Sequence, residues 1–162
     1  MILSQIVAVS KNFVIGINNA LPWSMPSDAK YFNDVTKGHV VIMGRKNYEA
    51  NKKALPARTN IVISRSPDFL PNDAIVVRSI EEGVKLAETI GETEAFIVGG
   101  GKIYHLSLKM VDRIYITVID KDFEGDTRYP EIIFSDYKII SSQGFKADKN
   151  NPYDWTYWVL ER

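Results

Sequence analysis

Asp28 lies in the stretch ALPWSMPSDAKYF, residues 20–32, where two prolines and a tryptophan lead into a predicted helix start. An acid at that place has two readings. It can cap the helix, accepting from orphan backbone N–H groups and suiting the dipole. It can also be a carboxylate delivered into an apolar pocket walled by Trp23, Tyr31 and Phe32. There it would pair with a planar, amidine-like group through two hydrogen bonds. The residues alone leave both readings open.

A second group of residues suggests anion chemistry. Arg45 and Lys46 follow the apolar run HVVIMG, and Arg65 follows TNIVIS. Gly99-Gly100-Gly101-Lys102 follows AFIV and opens a predicted helix. Glycines allow a close backbone approach, and a helix start offers free N–H groups. Guanidinium and ammonium groups suit phosphate. The convergence points to a ligand carrying several phosphates, although a glycine turn is also ordinary strand–helix geometry and terminal cations are also ordinary solvated residues. The turn lacks the G-x-G-x-x-G spacing of the dinucleotide fingerprint. The arginines and lysine match a 2′-phosphate, so NADP suits them better than NAD. Arg58, after Leu55-Pro56-Ala57, is either a fork for a ligand carboxylate or a surface arginine.

These residues need elements to hold them. Runs rich in β-branched residues at 2–9, 39–44, 59–64, 74–77, 95–98 and 113–119 read as buried strands. Helices are predicted over 27–37, after Ser79 with a capping-box Glu82, and over 101–110 with Ile103, Leu106 and Met110 on one face. A shorter one covers RKNYEA. Residues 137–145 and 153–161 read as an antiparallel pair at the sheet edge. Together about eight strands and about four helices predict a single-domain α/β fold over 1–162, with a mostly parallel central sheet. In such sheets ligands bind beyond the carboxyl ends of the strands. Segment 10–26 is expected to be a long irregular connection, either a lid or a packed surface loop.

Composition narrows the function classes. Twenty basic and twenty acidic residues cancel, which disfavours nucleic-acid binding. There is no cysteine and there are only two histidines, so thiol chemistry and a Cys/His metal site are disfavoured. No run approaches the roughly 20 apolar residues of a membrane span. The start has no basic n-region, so the expectation is a cytoplasmic protein.

The ordered set VIGINNALPW with Asp28, VIMGRKNYE, LPARTNIVISR, FIVGGGKIY, IYITVI and FEGDTRYP resembles the dihydrofolate reductase family along essentially the whole chain. The resemblance implies reduction of dihydrofolate with NADPH, by hydride transfer to C6 and protonation at N5. It implies a catalytic group of Asp28, Trp23 and Leu21. Asp28 would bind the pteridine 2-amino group and N3, with Thr117 hydrogen-bonded to it. Ile6, Val7, Ala8, Phe32, Leu55, Val98 and Tyr104 would line the substrate pocket, and Arg58 would grip the glutamate tail. Ala8, Ile15 and Gly16 would lie by the nicotinamide. Gly44, Asn47, Gly100, Gly101, Lys102 and Ile103 would lie along the phosphates, with a cis Gly99–Gly100 peptide. Arg45, Lys46 and Arg65 would hold the 2′-phosphate, and Ser64 would be a further cofactor-binding residue. Antifolate-type inhibitors are further implied ligands, and the implied state is a monomer with no nucleic-acid or membrane partner.

Ala29, Asn51, the Lys52-Lys53-Ala54 run and Ala57 depart from the family pattern, the last in place of a common glycine. A wider pocket and an altered backbone before Arg58 are therefore expected. Two other readings are a pyrimidine reductase of riboflavin synthesis and a non-catalytic nucleotide-binding module. Asp28 together with Arg58 favours folate, because a glutamate tail needs the arginine.

Overall fold

The computed structural model describes residues 1–162. Ten strands form: β1 (Ile2–Ser10), β2 (Val14–Gly16), β3 (Val40–Gly44), β4 (Thr59–Ile63), β5 (Ile75–Val77), β6 (Glu94–Ile97), β7 (Arg113–Ile119), β8 (Thr127–Arg128), β9 (Lys138–Phe145) and β10 (Trp155–Glu161). The helices are α1 (Pro26–Thr36), α2 (Arg45–Asn51), α3 (Ile80–Thr89) and α4 (Gly101–Ser107). Eight strands make one sheet in the order β5-β4-β3-β6-β1-β7-β10-β9. All pairs up to β7 are parallel, and β10 runs antiparallel to both β7 and β9. The expected mostly parallel sheet with an antiparallel C-terminal edge is what forms.

Alternation along the strands divides the core into two faces. Val7, Ile42, Ile61, Ile97 and Ile116 face the side packed by α3 and α4. Ile6, Val41, Met43, Val62 and Phe96 face the side packed by Tyr31, Phe32 and Val35 of α1 and Tyr48 of α2. Each fully buried side chain of this size contributes about 1.5–3 kcal/mol. Two covered faces explain the near-continuous apolar runs.

The register opens a cleft. β6 ends at Ile97, level with Gln5 and Ile42. β1 continues to Ser10, still paired with β7. Past Ile97 the sheet therefore has lost its middle strand, and the carboxyl ends of β1, β3, β4 and β6 surround the gap. The turn after β6 is tied back to β3, with Val98 N–H donating to Ile42 O (3.0 Å) and Gly44 N–H to Gly99 O (2.9 Å).

Two expectations change. Segment 10–26 is not wholly irregular, because β2 pairs antiparallel with β8. Strands of three and two residues are too short to show a periodicity. α4 ends at Ser107 and turns Tyr104 and Ser107 inward, while Leu106 is 51% exposed. A buried polar contact sets that orientation: Gln5 Nε2 donates to Tyr104 O (2.9 Å) and Ser107 Oγ (2.8 Å).

Ala57 keeps the backbone that a glycine would take, with φ at 60°. A Cβ in that region costs roughly 1–2 kcal/mol, partly offset by its lower unfolded-state entropy. Ala57→Gly should therefore raise stability by about 0.5–1 kcal/mol in urea unfolding. A loss instead would mean that the methyl group packs favourably.

Candidate active site

The start of α1 answers the question posed by Asp28. Met25 is the N-cap and makes no side-chain cap bond, and Pro26 occupies the first turn, where its missing N–H is harmless. Asp28 follows as an acidic residue of that turn, but its carboxylate turns inward to the sheet. There Thr117 of β7 lies in register with Ala8 on one side and Tyr157 on the other. Burial raises the Asp28 pKa, and the hydrogen bond from the Thr117 hydroxyl opposes that rise. Phenols complete the surroundings. Tyr31 stacks on Tyr157 with ring centroids 4.0 Å apart, and burial, aided by Tyr115, Tyr157 and Asp28, pushes the Tyr31 pKa to about 12. No cation pairs with Asp28. A largely buried carboxylate without a counter-charge suits a ligand bringing donors or positive charge.

The other expected pocket residues divide by the pleat. Ile6 faces the α1 side, with Phe32, Leu55 and Val98 packed in the same cluster. Ala8 packs with Trp23 and Met25. Val7 points to the opposite face, into the α3–α4 core, so only its backbone can border the pocket. Tyr104 is buried as a floor, its hydroxyl donating to Ile6 O at 2.7 Å. Trp23 is buried with its indole N–H unpaired. Leu21 is 59% exposed and lies outside the Trp23 cluster, so the structure does not gather it with Asp28. Arg58 lies 5.9 Å from the Phe32 ring centroid. Its Nε donates to Pro56 O (2.8 Å), and one terminal nitrogen donates to Asn33 Oδ1 (2.9 Å) and Thr36 Oγ1 (3.1 Å). The other terminal nitrogen has no protein partner.

The glycine turn forms the far side of the cleft. The Gly99–Gly100 peptide is cis, as the resemblance implied. Gly99 has φ 121°, and a Cβ there would meet Asn47 Nδ2 at 2.9 Å. Asn47 donates to Val98 O (3.0 Å), fastening α2 to the turn. A Cβ on Gly101 would meet Thr127 at 2.7 Å, and Ile15 lies beside it. Nothing lies within 4 Å of a Cβ built on Gly100. The turn is thus clamped on two sides and open on one. Gly44 touches Ile103 at its own Cβ position (3.1 Å).

Arg45 lies over the Phe69 ring at 4.9 Å and 3.4 Å from Glu49. Lys46, Arg65 and Lys102 are exposed and form no ion pair. Ser64 is buried beside Arg65, and its Oγ accepts from Ser66 N–H (3.2 Å).

Three residues join this arrangement without having been singled out in sequence. Arg78 donates to Ser64 O (3.0 Å) and braces the turn carrying Arg65. Asp126 accepts from Asn18 N–H (3.0 Å), and its own N–H donates to Gly16 O (3.0 Å), closing segment 10–26 over β8. Tyr157 backs Tyr31. FEGDTRYP carried Asp126 in plain view, but nothing in its composition says which loop it meets. Arg78 and Tyr157 had no local signal.

Fold and cleft together define an α/β ligand-binding protein with an unpaired acid at one end and a cation-flanked glycine turn at the other. Comparison with known proteins assigns the family. The dihydrofolate reductase family model matches residues 2–162. A dihydrofolate reductase of Staphylococcus haemolyticus is 42% identical over 99% of this chain and 95% of its own, and one of Bacillus subtilis is 38% identical over 99% and 94%. A solved dihydrofolate reductase from Enterococcus faecalis, complexed with NADP(H) and RAB-propyl, superposes with a TM-score of 0.92 at 32% identity, over 99% of this chain and 96% of that one. The chain belongs to the dihydrofolate reductase family.

The buried acid has a consequence for stability. With its folded pKa above the unfolded value, Asp28 binds its proton more readily in the folded state. Stability therefore falls as pH rises from the unfolded pKa to the folded one, and stays lowered above it. Asp28→Asn should raise the urea midpoint at pH 7, and the gain should vanish below about pH 4, near the ordinary carboxylate pKa. A destabilised Asp28→Asn at pH 7 would mean that the carboxylate is a net structural ligand.

Proposed function

We propose that this chain reduces 7,8-dihydrofolate to 5,6,7,8-tetrahydrofolate with NADPH, supplying one-carbon metabolism as a single-domain cytoplasmic monomer. The observation that carries the reading is Asp28, a largely buried acid without a cation partner at the mouth of an apolar cleft. The pteridine 2-amino group and N3–H form the planar donor pair that such an acid accepts. Ile6, Ala8, Phe32, Leu55 and Val98 would supply the apolar walls, and the free nitrogen of Arg58 would take the tail carboxylate. The same pocket would take antifolate-type inhibitors that present an equivalent donor pair.

The cofactor's groups fit what is present. The open side of Gly100 admits a pyrophosphate close to the backbone, and a side chain there would occupy that space. Lys46 and Arg65 are free for a 2′-phosphate, with Arg45 and Ser64 beside them. Gly44, Asn47, Lys102 and Ile103 border the phosphates, and Ala8, Ile15 and Gly16 border the ring end. When bound, NADPH supplies the hydride that is added at C6 of the pteridine.

The chain's own residues do the rest. They hold the two reactants aligned and exclude bulk water. Asp28, bound at N3 and the amino group, does not reach N5. Its negative charge favours protonation of N5 at a distance, in a pocket where screening is weak. Water reaching the pocket beside segment 10–26 carries the proton. The unpaired indole N–H of Trp23 is a ready donor to order it. Leu21, exposed on the same segment, would act only on closing inward.

The direct test is loss of NADPH absorbance on adding dihydrofolate. Purified, folded protein that binds NADPH without turnover would refute the assignment. Asp28→Asn should slow hydride transfer at pH 7 by about 100-fold or more while leaving NADPH affinity within about twofold. A comparable loss of NADPH affinity would make Asp28 structural. In the wild type, the KM for dihydrofolate should rise as pH falls through the raised Asp28 pKa, because only the ionised acid accepts both donors. Arg45→Ala with Arg65→Ala should narrow the NADPH-over-NADH preference by about tenfold or more, as loss of charge-assisted bonds predicts. An unchanged ratio would remove the 2′-phosphate from that corner.

A further inference from the structure

The helix that carries Asp28 starts without a cap of its own. Met25 gives no side-chain acceptor; its carbonyl takes the Asp28 and Ala29 N–H groups (3.0 and 3.2 Å) and Pro26 has none, so the Ser27 N–H alone needs a partner from elsewhere. The β9–β10 hairpin supplies one from 124 residues away. Ser27 N–H donates to Asn151 Oδ1 at 3.0 Å, and Asn151 Nδ2 donates back to Ser27 Oγ at 2.9 Å. Tyr157 of β10 donates to Ser27 O at 3.3 Å. The residue immediately before the acid is thus held at its N–H, its hydroxyl and its carbonyl by one hairpin.

Asn151 is itself fixed. It is 2% exposed, although it sits in the loop between two strands. Its backbone N–H donates to Asp148 Oδ1 at 2.8 Å, its Nδ2 donates to the same oxygen at 3.0 Å, and its carbonyl accepts from Asp148 N–H at 2.9 Å. A buried amide with its oxygen and nitrogen both engaged is oriented as well as anchored. Tyr157 meanwhile stacks on Tyr31, one turn beyond Asp28.

We infer that Asn151 is a positioning residue for Asp28: as a cap donated across the fold, it sets where the helix starts and so where the carboxylate points. The inference rests on the reading of Asp28 as the group that holds dihydrofolate. A two-hydrogen-bond pairing demands placement within a fraction of an ångström. A fraying first turn would spoil it without disturbing the phosphate end of the cleft, which α2, α4 and the glycine turn build.

The test compares purified variants in steady-state turnover, in NADPH binding and over pH. Asn151→Ala should raise the KM for dihydrofolate about tenfold, with NADPH affinity within about twofold. The acid limb of its profile should move to lower pH, because a loosened helix start lets water reach the carboxylate. Asp154→Ala is the control for plain hairpin damage. Asp154 accepts from Ala147 N–H (2.8 Å) and Lys146 Nζ (3.4 Å) in the same loop and makes no bond to Ser27. It should lose stability with KM and profile unchanged.

A folded Asn151→Ala with wild-type KM and acid limb would overturn the proposal, as would Asp154→Ala matching it in both. If Asn151→Ala does not fold, Ser27→Ala removes only the hydroxyl end of the clasp, and a KM rise of about threefold is expected. A wild-type KM in that variant would overturn the proposal. Asp28→Asn separates the two levels. If it keeps full turnover, the functional reading fails and the positioning role with it. If it collapses turnover while Asn151→Ala and Ser27→Ala behave as wild type, only the positioning role fails.

Discussion

A carboxylate held largely out of water with no cation beside it is the constraint around which this site is arranged. Desolvation of a charge opposes folding, and here only the Thr117 hydroxyl answers it. The remaining neighbours are phenols and apolar side chains. The burden is met elsewhere, in the densely packed two-faced sheet whose strands present Thr117, Ile6 and Ala8 at fixed heights. An arginine or lysine against Asp28 would neutralise its charge and leave the acid nothing to accept from a ligand. Stability and function pull opposite ways at this one residue.

The rest of the cleft follows from strand length. β6 is four residues long and β1 is nine. Since they start in register, the shorter one must stop early and leave a gap beside its longer neighbour. The turn that closes β6 then has to double back at that gap. It is held there by main-chain bonds to β3 and by Asn47, with one side left open. The acid and the anion-ready turn thus face one cleft because two parallel strands differ in length.

Much of this was legible in the residues. β-branched runs marked the central strands because strands buried on both faces must be apolar at nearly every position. Gly38 and Gly91 stopped helices where the backbone turns left-handed. The helix after Ser79 formed with its Ser cap, although Glu82 reaches Arg78 N–H and not Ser79 N–H, so the reciprocal half of the box is displaced by one residue. On α4 and just beyond it Ile103 and Met110 pack against the core as their spacing predicts, but Leu106 stays exposed while Tyr104 and Ser107 turn inward to Gln5, a buried amide nearly a hundred residues away. Val7 sits between Ile6 and Ala8 on the pocket strand, yet the pleat sends its side chain to the other face. β2 and β8 were invisible because pairs that short leave no pattern.

The sequence by itself determined the sheet, its parallel core, the cation-bearing strand ends and, through the ordered motifs, the family. These depend on local propensity, period and residue type, which are written along the chain. Only the tertiary structure decided that Asp28 is not a cap, that Asn151 caps its helix instead, that Arg58 is partly engaged by Asn33 and Thr36, and that Asp126 ties down segment 10–26. Each is a polar contact between residues distant in sequence. Such contacts have no period and no composition, and they exist only once packing has brought the partners within hydrogen-bond reach.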